Sequence, residues 1–182
     1  MKKSKVKFQR SYSSARNDLI EEIKASTTPT RKKYLLRQIK RLSKLEDEAY
    51  RPRHGRFDFY NYLEEILKLN WVWADKGARK TRGQQVGALI PRPLPPRKGR
   101  TALHFLIEAS SKQKPQMKSR WVQALVFASK HRQIVETDGL AVFIENHGGI
   151  AGCATKAAKP KRPLKVEVKL SDADDDDDGW DK

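Results

Sequence analysis

The sequence predicts an all-α protein: one or more small helical domains with a basic N-terminal helical hairpin, a Pro-rich linker, a compact C-terminal helical unit and a disordered acidic tail. Three observations carry this. Apolar residues recur three and four apart in several separate stretches. Threonines, prolines and glycines stand at the ends of those stretches, where helices start and stop. Only Leu164, Val166, Val168 and Leu170 alternate with polar neighbours at the period of a strand.

The most regular stretch runs from Pro115 to Ala158. Pro115 starts a helix rather than continuing one, because it lacks an N–H. After it Trp121, Leu125 and Ala128, with Val122 and Val126 beside them, form one apolar face. Lys118, Arg120, Gln123, Lys130 and Arg132 fall largely on the other side. Thr137 or Asp138 is read as the N-cap of the next helix, in which Leu140, Phe143, Ile144 and His147 repeat at helical spacing. Gly148 supplies a left-handed C-cap, Gly149 turns the chain, and Ile150, Ala154 and Ala157 line a third, small-residue helix. Thr101 caps a further helix through Leu103, Phe105, Leu106 and Ile107, which completes a compact helical domain over 101–158.

The N-terminal half is organised differently. Residues 1–12 form a basic arm with little to bury, expected to be disordered. A basic helical region follows over 13–82. Ser13 or Ser14 caps a short helix holding Leu19, Ile20 and Ile23. Thr27-Thr28-Pro29-Thr30 is a break, and Thr30 is read as the cap of a longer helix from Arg31 to Ala49. Leu35, Ile39, Leu42, Leu45 and Ala49 make its narrow apolar seam, which a helical hairpin would bury; a coiled-coil dimer is the alternative, over barely two heptads. From Phe57 to Ala74, Tyr62, Ile66, Leu69 and Trp73 repeat as a buried helix face, widened by Phe59 and Leu63; Trp71 falls off that face and is expected at the surface. Residues 83–100, with Pro91, Pro93, Pro95 and Pro96, read as an extended linker. Residues 159–182 read as a flexible tail containing the possible strand 164–170 and ending in an acidic run.

Charge narrows the function. The chain has 39 Lys and Arg against 22 Asp and Glu, a net charge of +17 over 182 residues. That surplus suits a phosphate backbone or an anionic membrane. It is concentrated early: residues 1–53 carry 16 basic and 6 acidic groups, whereas 101–158 carry 7 and 4. The lone Cys153 excludes an internal disulfide and fits a reducing compartment. No apolar run approaches the roughly 20 residues of a membrane span, and the N-terminus lacks the apolar segment of a secretory signal, so a soluble cytoplasmic protein is expected. Neither a glycine-lysine phosphate loop nor a nucleophile motif occurs, and no Cys or His spacing matches a zinc site; no enzyme, cofactor or metal is expected. His104, His131 and His147 are too far apart in sequence to be grouped without a fold.

Two short helices around Gly148 and Gly149 are similar in outline to a helix-turn-helix. Glu145 stands where that motif places a small residue, and Thr155, Lys156 and Lys159 are the polar residues its second helix would offer. A helix-hairpin-helix turn is similar too, with Ala151 in the position of its second glycine. The tail, six aspartates between Asp172 and Asp178 followed by Trp180, resembles the acidic tails of single-stranded DNA-binding proteins; the rest of the chain lacks the strands of their barrel.

The expectation is therefore a non-enzymatic nucleic-acid-binding protein with a regulatory or plasmid or phage accessory role, taking DNA in preference to RNA. Arg31, Lys32, Lys33, Arg37, Lys40, Arg41 and Lys44 on the long helix, with Lys76, Arg79, Lys80 and Arg82, would hold phosphates, and Lys156 would add a secondary contact. Asp176, Asp177, Asp178 and Trp180 would either tune occupancy by folding back onto the basic surface or recruit a protein partner. An assembly factor acting through that tail is the alternative reading.

Overall fold

Every regular element in the computed structural model, which describes residues 17–51, 56–91, 93–94 and 99–158, is a helix. In chain order they are α1 (17–25), α2 (Pro29–Ala49), α3 (Arg56–Asp75), α4 (Arg79–Leu89), α5 (Ala102–Ser110), α6 (Pro115–Ser129), α7 (Arg132–Asp138), α8 (Leu140–Asn146) and α9 (Gly149–Ala157). The basic arm 1–12, Ser13 and Ser14, His54, the side chain of Phe57, the strand expected over 164–170 and the tail with Asp176, Asp177, Asp178 and Trp180 lie outside the described residues.

Thr28, not Thr30, opens the long helix. Its Oγ1 accepts a hydrogen bond from the Arg31 backbone N–H at 3.4 Å, and Pro29 takes the first helical position, where a missing N–H costs nothing. The seam is then as spaced: Leu35, Leu42 and Ala49 are buried, with Ile39 and Leu45 packed against the same core. It is buried within the chain, against α3 and α5, so no coiled-coil partner is needed to cover it.

α3 is the hub, touching α2, α4, α5, α6 and α8. This explains why Trp71 is buried rather than exposed. A single-face reading leaves it outside, but α3 is enclosed on several sides, and Arg132 of α7 lies over the indole at 5.3 Å while its guanidinium pairs with Asp75 at 2.7 Å. The ion pair holds the Asp75 carboxyl below its ordinary range. The exposed apolar residue of this region is Val72.

Residues 83–89, expected as the start of a linker, form the second half of α4 and pack on α5. The cause is a pair of glycines one helical turn apart. A Cβ on Gly83 would lie 2.9 Å from the Ala102 Cα, and one on Gly87 2.5 Å from the Phe105 ring. Only bare backbone allows this approach, and Val86, Ala88 and Ile90 are buried beside it. Leu94, beyond Pro91, closes the corner by donating its N–H to the Gly87 carbonyl at 2.9 Å. Gly87→Ala is expected to lower stability by about 2 kcal/mol, the usual cost of overpacking a filled site, measured by urea unfolding; an unchanged midpoint would show that the two helices have room to part.

α5 begins at the expected Thr101. Its backbone N–H donates to His104 Nδ1 at 3.1 Å, and the His104 N–H returns a bond to the Thr101 carbonyl at 3.1 Å. A backbone N–H can only donate, so Nδ1 is unprotonated and the ring is neutral. Burial, and then the nearby Arg100, hold the His104 pKa below its ordinary value, in the same direction.

The other end of α5 is tied to α2 through a buried carboxylate. Glu46 is 1% exposed. It accepts from Ser111 Oγ at 2.5 Å and from the Lys112 backbone N–H at 3.1 and 3.2 Å. Alongside, the Tyr62 hydroxyl meets Ser110 Oγ at 2.9 Å, and Ser110 donates on to the Leu106 carbonyl. Burial lifts the Tyr62 phenol well above its usual range.

The C-terminal stretch holds one more helix than expected. Thr137 and Asp138 do not cap α8; they end α7, a short helix over residues with no apolar periodicity of their own beyond the buried Val135. Gly139, at φ 84° and ψ 154°, makes the break between α7 and α8, a conformation that a side chain rarely adopts. Leu140, Phe143 and Ile144 are buried as spaced, Gly148 is left-handed, and α9 lays Cys153 and Ala154 against α6. Burial raises the Cys153 thiol pKa. One continuous core joins Leu35 and Leu42 of α2 to Leu125 of α6 and Cys153 of α9.

Candidate nucleic-acid interface

With its seam turned inward, α2 presents the opposite face outward. Pro29, Lys32, Lys33, Leu36, Arg37 and Lys40 line a shallow groove along it, at positions that follow the helical period. Lys32, Lys33, Arg37 and Lys40 are exposed, and among the described residues none of them is in an ion pair. Leu36, 43% exposed, lies in their midst.

The other three cations expected on this helix are placed differently. Arg31 stands four residues before Leu35, on the seam side, and is exposed because it lies in the first turn. Arg41 is turned toward α3 and pairs with Glu65 at 2.6 Å. Lys44 stands 3.6 Å from Glu48. Basic density in the sequence does not separate free cations from engaged ones; the carboxylates that engage them come from other turns or from another helix.

Two of the four groove cations, Lys32 and Lys33, also oppose the helix's own dipole. The first turn of α2 carries no acidic residue, and its last turn no basic one. Arg31, Lys32 and Lys33 crowd the positive end, while Glu46, Asp47 and Glu48 occupy the negative end. Each charge so placed is unfavourable by roughly 0.3–1 kcal/mol at a surface. An anion at the N-terminal half of α2 would offset both the dipole and the mutual repulsion.

The second basic group lies toward the same end of the molecule as the start of α2. α2 and α3 run antiparallel, with Tyr50 against Phe59 near one end and Arg41 against Glu65 midway. From that crossing, α2 has about 18 Å left to its start and α3 about 15 Å to its end, at 1.5 Å per residue. The corner that follows α3 carries Lys76, Arg79 and Lys80, all exposed, and Arg82, half-buried; α4 then touches α2. Here too a helix starts on cations with no acidic residue in its first turn.

Lys156 lies elsewhere. It is exposed on α9, and neither α9 nor α6 beneath it touches α2. Its ammonium stands 6.0 Å from the Phe127 ring. Around that ring the fold brings together two of the chain's four histidines: His131 and His147 have ring centroids 6.3 Å apart, and His147 stacks on Phe143 at 4.2 Å with its Nδ1 2.8 Å from the Phe143 carbonyl. His104, on α5, is not among these rings.

The feature that sequence reading missed is Leu36. It follows Lys33 by three residues and precedes Lys40 by four, so the cationic face has an apolar centre; that spacing was the available signal. Among the described residues no helix is long and apolar enough to cross a membrane. Comparison with known protein families, with curated proteins and with solved structures found no match.

Proposed function

We propose that this protein binds nucleic acid without catalysing a reaction on it, taking duplex DNA before RNA, with the outer face of α2 and the α3–α4 corner as the phosphate-holding surface. A single observation carries the reading: Lys32, Lys33, Arg37 and Lys40 share one exposed face with no carboxylate paired to them among the described residues, on a helix whose remaining cations are paired or turned aside. α2 is 21 residues long and, among the described residues, is packed against other helices on its seam side. A helix of roughly 10–12 Å diameter suits the major groove of B-form DNA, about 12 Å wide. The deep, narrow major groove of A-form RNA does not admit one.

Fluorescence anisotropy with labelled duplex DNA, single-stranded DNA and duplex RNA, each titrated across salt, tests this. Duplex DNA is expected to bind most tightly, with log K falling against log salt at about −0.9 per phosphate neutralised, a slope between about −3.6 for the four α2 cations alone and about −6 with Lys76, Arg79 and Lys80 added. A slope between 0 and −1, or equal affinity for all three ligands, would contradict the proposal.

A further inference from the structure

Phosphates alone leave part of the α2 groove unused. Leu36 lies between Lys32, Lys33, Arg37 and Lys40, with Pro29 at the end. A backbone of phosphates and sugars satisfies the ammonium and guanidinium groups and offers nothing to the leucine. The ligand that fits the whole groove pairs several anions with one apolar side chain.

The chain itself contains such a segment. Asp172 and Asp174 to Asp178 supply six carboxylates, and Trp180 follows after a single glycine. Elsewhere the sequence never places more than three acidic residues in a row, and those three, Glu46 to Asp47 to Glu48, belong to α2 itself. We propose that the segment 172–180 docks in this groove of the same molecule, Trp180 against Leu36 and the stems of Lys32 and Lys40, the aspartates on the four cations.

Reach permits it. Thirteen residues separate Ala158 from Asp172, up to about 45 Å when extended. A folded body of this size has a radius of gyration near 14 Å and so spans roughly 35–40 Å. Tethering also raises the local concentration of the segment to the millimolar range, which favours it over an acidic peptide supplied from outside. Docking stands on the groove and the segment alone; its consequence, competition with DNA for the same cations, rests on the function proposed above.

Carbodiimide crosslinking of the full chain, read by mass spectrometry on a mixture of heavy- and light-isotope protein, tests the docking. Links from Asp174–Asp178 are expected mainly on Lys32, Lys33 and Lys40, within single molecules, and at least threefold fewer in Trp180→Ala. An even spread over Lys112, Lys130 and Lys156, or links only between heavy and light chains, would overturn it; so would a Trp180→Ala pattern equal to that of the unaltered protein. In a second arm, full-length protein with Asp174, Asp175, Asp176, Asp177 and Asp178 all replaced by Asn is expected to bind duplex DNA about tenfold more tightly at low salt. Equal affinity of the two proteins overturns the competition. If neither protein binds DNA while the crosslinks still fall on α2, the nucleic-acid reading fails and the docking stands.

Discussion

Replacing Lys32, Lys33, Arg37 and Lys40 together by Gln is expected to weaken duplex DNA binding by at least 100-fold at 0.1 M salt, about 2.7 kcal/mol. The size follows from counterion release. Four phosphate contacts contribute roughly 3.6 units of the salt slope, so each tenfold dilution of salt widens the gap between the variant and the unaltered protein. The fold should survive, because all four side chains are exposed and none is in an ion pair among the described residues. Removing cations from the positive end of α2 should even raise thermal stability slightly. The same number of Gln substitutions at Lys112, Lys118, Lys130 and Lys156 makes the control, expected to change affinity by less than fivefold. Equal losses from the two sets would mean that net charge, not a located face, holds the nucleic acid.

The largest effect on stability is expected at Glu46. Glu46→Ala removes the acceptor for Ser111 Oγ and the Lys112 N–H, which lie at the buried junction of α2 and α5. A donor left buried without a partner costs about 1–3 kcal/mol, and the side-chain volume is lost as well. A total near 3 kcal/mol is expected from urea unfolding. Glu46→Gln keeps the volume and one acceptor oxygen and should cost less than half as much. If Ala and Gln cost the same, the charge is what matters there and the hydrogen-bond account is wrong. Because Glu46 ends the helix whose other half bears the cationic groove, Glu46→Ala should also loosen the C-terminal turns of α2 before the rest, seen as faster amide exchange over 44–49.

What the sequence showed and what it hid have physical causes. Helices with one buried face were legible from spacing: the α2 seam, Trp121 and Leu125 on α6, and Leu140, Phe143 and Ile144 on α8 all pack as their periods predict. α3 was read as one-faced and is buried on several sides, which is why Trp71 was misplaced; the number of neighbours around a helix is not written in its own period. α4 was hidden because glycine marks breaks locally, while Gly83 and Gly87 here serve a contact with Phe105, a residue nearly twenty positions away. α7 has too few apolar residues to announce itself, and Thr137 and Asp138, read as the cap of the next helix, are its last residues before the break at Gly139. At the candidate interface, helical period located the cationic face of α2. Which cations are free depends on Glu65 of α3 and on Glu48, a turn beyond Lys44, so the sequence could name the basic residues but not sort them.

Lysine acetylation footprinting, with and without saturating duplex DNA, tests the located surface most directly, since every exposed lysine reports at once. Lys32, Lys33 and Lys40, together with Lys76 and Lys80, should be protected at least fivefold, while Lys112, Lys130 and Lys156 keep their reactivity. Protection spread evenly over all lysines, or confined to Lys130 and Lys156, would contradict an interface on α2.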